Sequence, residues 1–355
     1  MQSLILIYAA WSASSVASLQ NSTTLTLEEA VALASTQAFA VRSAEVNAAK
    51  AQDLVDLSKT AQGLNVKVSG GYTHVDRQGV KSVPGMSGPE PDQTSVSLAI
   101  SQVIDITGAI GKAVSQARLL KEAQTLLVKA EVNKVKGQVR ASYFQILQAD
   151  ALTLNQEAEV KATRERLAKA EVKFRNDAIP KFDVIRFETE VRRSEQALTE
   201  AQLTAALARQ SLNNLLGRPI DAPVNVVSLS SLPAEGLKAE SLTQTALTNR
   251  PDLKAGEKNV EALIKALERE RLGMGPQLSV GAQHSETLSK VAMGGARGTT
   301  AASINVSLPL YDSHLTRTKV RSAAKDVEQA NILLDQARLG IALEVRSALK
   351  KLLST

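Results

Sequence analysis

Three histidines, His74, His284 and His314, are the first residues to test for chemistry, because imidazole is the side chain that most often binds metals or moves protons near neutral pH. Their spacing, with few acidic residues nearby, is not that of a metal cluster, and each reads as a strand or rim residue. The chain has no cysteine, which removes disulfides, thiolate metal sites and thiol nucleophiles together. Carboxylate pairs exist at Glu188 with Glu190 and at Glu268 with Glu270. They sit on long charged helix faces, where ion pairs one turn apart and hydration account for them. The glycine-rich run at 294–298 lacks the preceding buried strand and following helix of a dinucleotide site and reads as a loop. These residues give no catalytic constellation, no metal site and no cofactor site, so the expectation is a protein that is not an enzyme.

The elements that carry these side chains are more informative. The chain has 355 residues, 44% of them apolar, enough to fold, yet only ten positions are aromatic. Cores usually lean on large rings. A composition of Ala, Leu and Val favours narrow helix seams over one thick globule. The formal charge of +6 is spread along the chain without basic runs interleaved with aromatics, which argues against a nucleic-acid partner. No charged residue precedes Glu28, and the apolar run LILIYAAW at 4–11 is followed by the small residues Val16, Ala17 and Ser18. Residues 1–22 therefore read as a secretory signal, although its basic n-region is missing, because the first Lys or Arg is Arg42. No later stretch approaches the ~18 consecutive apolar residues of a membrane helix, so a membrane span would have to be built from strands.

Residues 26–62 read as one helix, with Thr23, Thr24 and Thr26 as candidate caps and Glu28 and Glu29 in the first turn. At Gly63 the period changes to two. Leu64, Val66, Val68 and Tyr72 alternate with Asn65, Lys67, Ser69 and Thr73, the pattern of a strand with one apolar face. Residues 76–93 hold many Pro and Gly and read as a loop. A second alternation sets Val96, Leu98 and Ile100 against Ser95, Ser97 and Ser101. Residues 109–176 contain no Pro and predict a single helix of about 100 Å at 1.5 Å per residue. Its heptad seam runs through Val128, Val132, Val135, Val139, Ser142, Ile146, Ala149, Thr153, Gln156, Val160, Thr163, Leu167, Ala170 and Phe174. A second seam beside it passes through Leu126, Phe144, Leu147, Leu154 and Val172, which implies neighbours on two sides. Residues 181–216 continue the spacing at Phe187, Val191, Ser194, Leu198, Ala201, Ala205, Ala208, Leu212 and Leu215, so the pair predicts an antiparallel hairpin.

The plan is then repeated. A shift of 214 aligns Leu33 with Leu247, Val46 with Val260 and Leu64 with Leu278, and a shift of 206 aligns Leu98 with Ile304, Val114 with Val320 and Val135 with Ile341. The difference of eight is assigned to the loop between the strands. The division expected is a first repeat at 23–216, a linker at 217–238 and a second repeat at 239–355. Thr355 falls opposite Ala149, so the second repeat carries no return helix.

Five stretches now carry a resemblance: LTLEEAVALA at 25–34, NRPDLKA at 249–255, LPLYD at 308–312, FRNDAIPKFDV at 174–184 and LNNLLGRP at 212–219. Together with the duplication and the hairpin, the chain resembles the TolC-type outer-membrane efflux proteins. The resemblance implies a mainly α fold with four β-strands per chain, contributed to a trimeric twelve-stranded transmembrane β-barrel, and long coiled-coil helices in a periplasmic α-helical barrel. It implies a homotrimer in the outer membrane, touching outer-membrane lipid and reaching into the periplasm. Its partners would be a periplasmic adaptor protein and an inner-membrane transporter. It implies passive conduction in tripartite efflux or type I secretion; a periplasmic coiled-coil adaptor or scaffold is the other reading.

On the barrel, Asn65, Lys67, Ser69, Ser95, Ser97, Ser279 and Asn305 would face the pore. At the turn, Asp183, Arg175 and Asp177 would be gate residues of the periplasmic tip, and Asn176, Ala178 and Ile179 would meet the adaptor. Asp177 stands where the family's turn has Gly, and Asp can also take a left-handed conformation. A plainer role for Asp177 and Asp183 is to cap and neutralise the start of the following helix. By the same resemblance a final helix hairpin should follow, so the chain is expected to be a piece of a longer reading frame or nonfunctional alone.

Overall fold

A computed structural model describes residues 23–74, 92–228, 238–289 and 297–353. The signal-like segment at 1–22, most of the 76–93 loop and most of the 294–298 run lie outside the described residues. In chain order the elements are β1 (Thr23–Leu25), α1 (Leu27–Gln37), α2 (Phe39–Thr60), β2 (Asn65–His74), β3 (Asp92–Ile104), α3 (Ala109–Arg175), α4 (Lys181–Leu215) and β4 (Val224–Val226). There follow α5 (Ala239–Asn249), α6 (Pro251–Arg271), β5 (Gln277–Thr287), β6 (Gly298–Ser307) and α7 (Leu315–Leu353). They group into two compact units, Met1–Val46 with Val128–Gly236, and Asn47–Leu127 with Leu237–Thr355.

In the first unit the predicted seam is the packing surface. Val135, Val139, Ser142, Ile146, Ala149, Val160, Thr163 and Ala170 of α3 are buried, as are Val191, Ser194, Ala201, Ala205 and Leu212 of α4. Small residues let the helices approach, and where the seam turns polar the hydroxyls of Thr163 and Ser194 meet at 2.9 Å. Ion pairs flank the seam, Arg164 with Glu195 at 2.6 Å and Arg166 with Glu190 at 2.8 Å. Glu190 is thus paired across the hairpin rather than within its own helix. The second seam of α3 is left open within this chain, with Phe144 52% and Leu154 66% exposed.

Residues 26–62 do not form one helix. Thr26 caps α1 in a reciprocal capping box with Glu29, and the chain breaks at Ala38, whose ψ of 132° is extended. Ala38 is buried, and nearby Gly217, at φ 68°, approaches the Gln37 carbonyl so closely that a Cβ there would lie 2.9 Å from it. The break seats α1 in the core and lets α2 start as a separate helix. Two strands also add to the four expected: β1 and β4 pair in parallel, Thr23 with Val224 through Leu25 with Val226. The Tyr143 hydroxyl clasps this pair. It lies 3.0 Å from the Leu25 carbonyl and 2.8 Å from that of Val227, and accepts the Val227 N–H at 2.8 Å.

The second unit holds a four-stranded antiparallel sheet in the order β2-β3-β5-β6. Strand β3 begins at Asp92, so residues 92 and 93 belong to the sheet rather than to the loop, and Gly298 likewise opens β6. The observed register corrects the repeat alignment. Asn65 pairs with Ser101 and Gln277 with Ser307, so the first helix and strand recur at 212, not 214. Gly63 and Gly275 agree, each donating its N–H at 2.8 Å to the carbonyl three residues earlier, as do the helix breaks at Ala38 and Arg250. The shift of 206 holds for the later elements. It carries Ala109 onto Leu315, the first residues of α3 and α7, and Gly108 onto His314, both at positive φ.

Candidate functional site: a polar sheet face and a helical turn

Side chains alternate along a strand, so register decides which residues share a face. Across the sheet, Ser69 pairs with Ser97 and Ser97 with Ser285, while Lys67 pairs with Ala99, Ala99 with Gln283 and Gln283 with Ala301. Ser279 lies between Val103 and Asn305 in the same set. All seven strand positions singled out from the sequence therefore project from one face, which is made of small polar residues. The Ser69 and Ser97 hydroxyls meet at 2.9 Å, and Asn305 donates its amide to Ser303 at 3.2 Å.

The opposite face is apolar and uncovered. Val66, Val68, Val96, Leu98, Ile100, Val280, Ile304 and Val306 lie on it, and Ile304 is 76% exposed. Polar residues return toward the strand ends, where Asp92 accepts from Tyr72 at 2.6 Å and contacts the His74 ring at 2.7 Å. His284 stays beside Thr300 at 2.8 Å. The two outer strands, β2 and β6, each present one row of backbone groups without a sheet neighbour among the described residues. Such edges pair readily with another chain. A sheet with one wet face, one greasy face and two open edges of about ten residues is a sector of a membrane barrel.

The turn between α3 and α4 belongs to the first unit. Asp177 has φ 56°, and the N–H groups of Asp177 and Ala178 close onto the carbonyls of Phe174 and Lys173, both at 2.9 Å. That is a Schellman ending, with Asp177 in the left-handed position usually held by Gly. Asp177 therefore terminates α3, and the start of α4 is not capped by it: the N-cap is Pro180, without a side-chain cap. Asp183 lies in the first turn of α4, where a negative charge suits the helix dipole. Arg175, Asn176 and Ala178 are exposed, Ile179 is half-buried, and Arg175 reaches only Glu171, at 3.9 Å.

Sequence reasoning did not anticipate the surroundings of Asp183. Arg166, Lys169, Lys173 and Arg186 share with it the lining of a shallow cavity of about 400 Å³. The spacing of Arg166, Lys169 and Lys173 on one α3 face was the available signal. Elsewhere, Glu268 is held below the usual carboxylate range by hydrogen bonds from Lys112, on another helix, and from Lys265. Among the described residues no group of three or more His, Asp or Glu could hold a metal, and no helix is long and apolar enough to cross a membrane.

An amphipathic four-stranded sheet and one long helical hairpin in a single chain are the elements of a class, the outer-membrane channels. The comparisons agree. The outer membrane efflux protein family model matches residues 30–218 and 242–354, and the chain belongs to that family. It is similar to Protein CyaE of Bordetella pertussis, 26% identical over 171 residues, covering 47% of this chain and 36% of that protein. An uncharacterized protein of Haemophilus influenzae is 24% identical over 131 residues, covering 36% and 29%. The matched stretch thus spans about a third of each relative's length. Among solved structures, the Campylobacter jejuni CmeC outer membrane channel superposes with TM-score 0.75 at 15% identity, covering 91% of this chain and 71% of that one. The Vibrio cholerae outer membrane protein VceC gives 0.69 at 15%, covering 88% and 75%.

Proposed function

We propose that this chain is the outer-membrane channel component of a tripartite efflux or type I secretion system, and that it conducts passively. Three copies close their open β2 and β6 edges into a twelve-stranded barrel. The apolar face meets lipid and the face bearing Asn65, Lys67, Ser69, Ser95, Ser97, Ser279 and Asn305 lines the pore. The observation that carries the reading is the sheet itself, polar on one face and apolar on the other across all four strands, with both edges open. In hydrocarbon each unpaired backbone group costs several kcal/mol, so such a sheet requires closure. Four strands are too few to close alone.

The turn at residues 175–183 supplies the periplasmic tip. Asp183, which shares a cavity lining with four cations, is the gate residue, with Arg175 and Asp177 on the same turn. Asn176, Ala178 and Ile179 face a periplasmic adaptor, which couples the channel to an inner-membrane transporter. The open second seam of α3, with Phe144 and Leu154 exposed, supports packing against helices of a neighbouring copy. The test is the number of chains per detergent-solubilised particle from the outer-membrane fraction of cells expressing the full reading frame. Three chains per particle, with conductance in planar bilayers, is the expected result. A soluble monomer absent from that fraction would overturn the channel and favour a periplasmic scaffold.

A further inference from the structure

On the polar face of the described sheet, Lys67 is the one charged residue. The others are Ser, Thr, Asn, Gln, Gly, Ala and a single Val. Its cross-strand neighbour is Ala99, followed in the same row by Gln283 and Ala301, and no ion-pair partner of Lys67 occurs among the described residues. Its structural counterpart in the second repeat, at the 212 shift, is Ser279, so the charge is not repeated at the equivalent position of the described sheet.

Strand register fixes which way Lys67 points. It lies between Val66 and Val68, whose side chains belong to the apolar face. Turned outward, an ammonium would meet the apolar band, at a cost that runs from about 2–4 kcal/mol at a bilayer midplane to about 0–1 kcal/mol near its interfaces. Turned inward, it is wet and its charge is uncompensated. Rings of Lys or Arg favour anions in pores, because the field in a narrow lumen acts on every passing ion.

We propose that Lys67 is a charge-selecting position, and that three copies set a ring of ammonium groups in the barrel lumen that favours small anions and negatively charged permeants over cations. This rests on the three-copy barrel reading. The test is the reversal potential of single channels of the full chain across a gradient of potassium chloride, for the unsubstituted protein, Lys67→Gln and Lys67→Glu. At ~0.15 M salt, where fields decay over ~8 Å, loss of the ring lowers the chloride-to-potassium permeability ratio about twofold. Lys67→Glu lowers it further, and the differences shrink at ~1 M salt, where the screening length is ~3 Å. Conducting channels with the same ratio in all three proteins would overturn the ring and leave the channel standing. No conductance from the unsubstituted protein would overturn the channel itself and the ring with it.

Discussion

The core beneath α1 and the core beneath α5 and α6 occupy equivalent places in the two repeats but are built differently. The first is a cluster of twelve buried residues, including Val135, Val139, Tyr143, Ile146, Leu212 and Leu216. The second has four, Leu253, Val260, Leu334 and Ile341. The shift of 206 carries Val135 onto Ile341, both buried, but the buried Tyr143 onto Leu349, which is only half-buried and has no hydroxyl to offer. Interhelical ion pairs occur in both units, and in the second they stand beside the smaller cluster, Arg250 with Glu344 at 2.6 Å and Arg338 with Glu257 at 3.2 Å. Burial of large side chains contributes kcal/mol apiece, while exposed ion pairs contribute a fraction of that. The helical pattern is therefore copied between the repeats while the apolar anchor is concentrated in one.

The sharpest way to break this comparison is to remove the same kind of side chain from each core. Ile146 is fully buried, and Ile146→Ala should cost about 3–5 kcal/mol, because close neighbours on α1 and α4 cannot collapse into the gap. Leu334, 9% exposed in the smaller cluster, should cost about 2 kcal/mol on substitution by Ala. The measurement is the urea midpoint of helix circular dichroism in detergent. Equal losses would show the cores to be equivalent and sink the distinction.

The sequence displays the first core more clearly than the breaks around it. A heptad seam declares itself through many positions, and α3 buries most of those that its spacing marks between Val135 and Ala170, whereas Phe174 at its end is exposed. The corner at Ala38 carries no such sign, since Ala is the best helix former and neither Gly nor Pro marks the site. Its counterpart at Arg250 does carry one, because Pro251 pushes the residue before it out of helical geometry, here to ψ 122°. Strands β1 and β4, three residues each and some two hundred apart in sequence, are too short to alternate visibly. The two-residue slip in the repeat alignment has a similar origin. An even shift leaves every strand face unchanged, so alternation cannot separate 212 from 214; Gly63 and Gly275 could have. At the turn, the left-handed Asp177 was legible from the motif, whereas the cations that share a cavity lining with Asp183 come from two helices.

Tyr143 is the feature of the first core without a counterpart in the second. Tyr143→Phe keeps the ring and removes the hydroxyl that joins α3 to the β1–β4 pair, leaving the Leu25 and Val227 backbone groups without that partner. A loss of about 1–2 kcal/mol follows, less than from a cavity. The local readout is hydrogen exchange at the Val227 N–H, which should quicken while the α3–α4 seam keeps its protection. Unchanged exchange at Val227 would mean that the clasp does not hold the strands.

The smallest effect lies in the ion pairs of the second unit. Arg250 donates to both oxygens of Asp252, at 3.1 and 2.7 Å, and holds that carboxyl below its usual range. A group whose pKa is lower folded than unfolded stabilises the fold fully above its unfolded value, near 3.9 for Asp, and loses that contribution as pH falls through the folded value. Both side chains are half-buried and still reach solvent, so Asp252→Asn should cost about 1 kcal/mol or less at neutral pH. The difference from the unsubstituted chain should vanish as pH falls through the lowered folded value and the carboxyl is protonated. Urea midpoints of the two proteins compared at pH 7 and at progressively lower pH read this directly. A gap that stays constant into strong acid would assign Asp252 a role in packing the α5–α6 corner rather than in charge pairing, and would bring the second core closer in kind to the first.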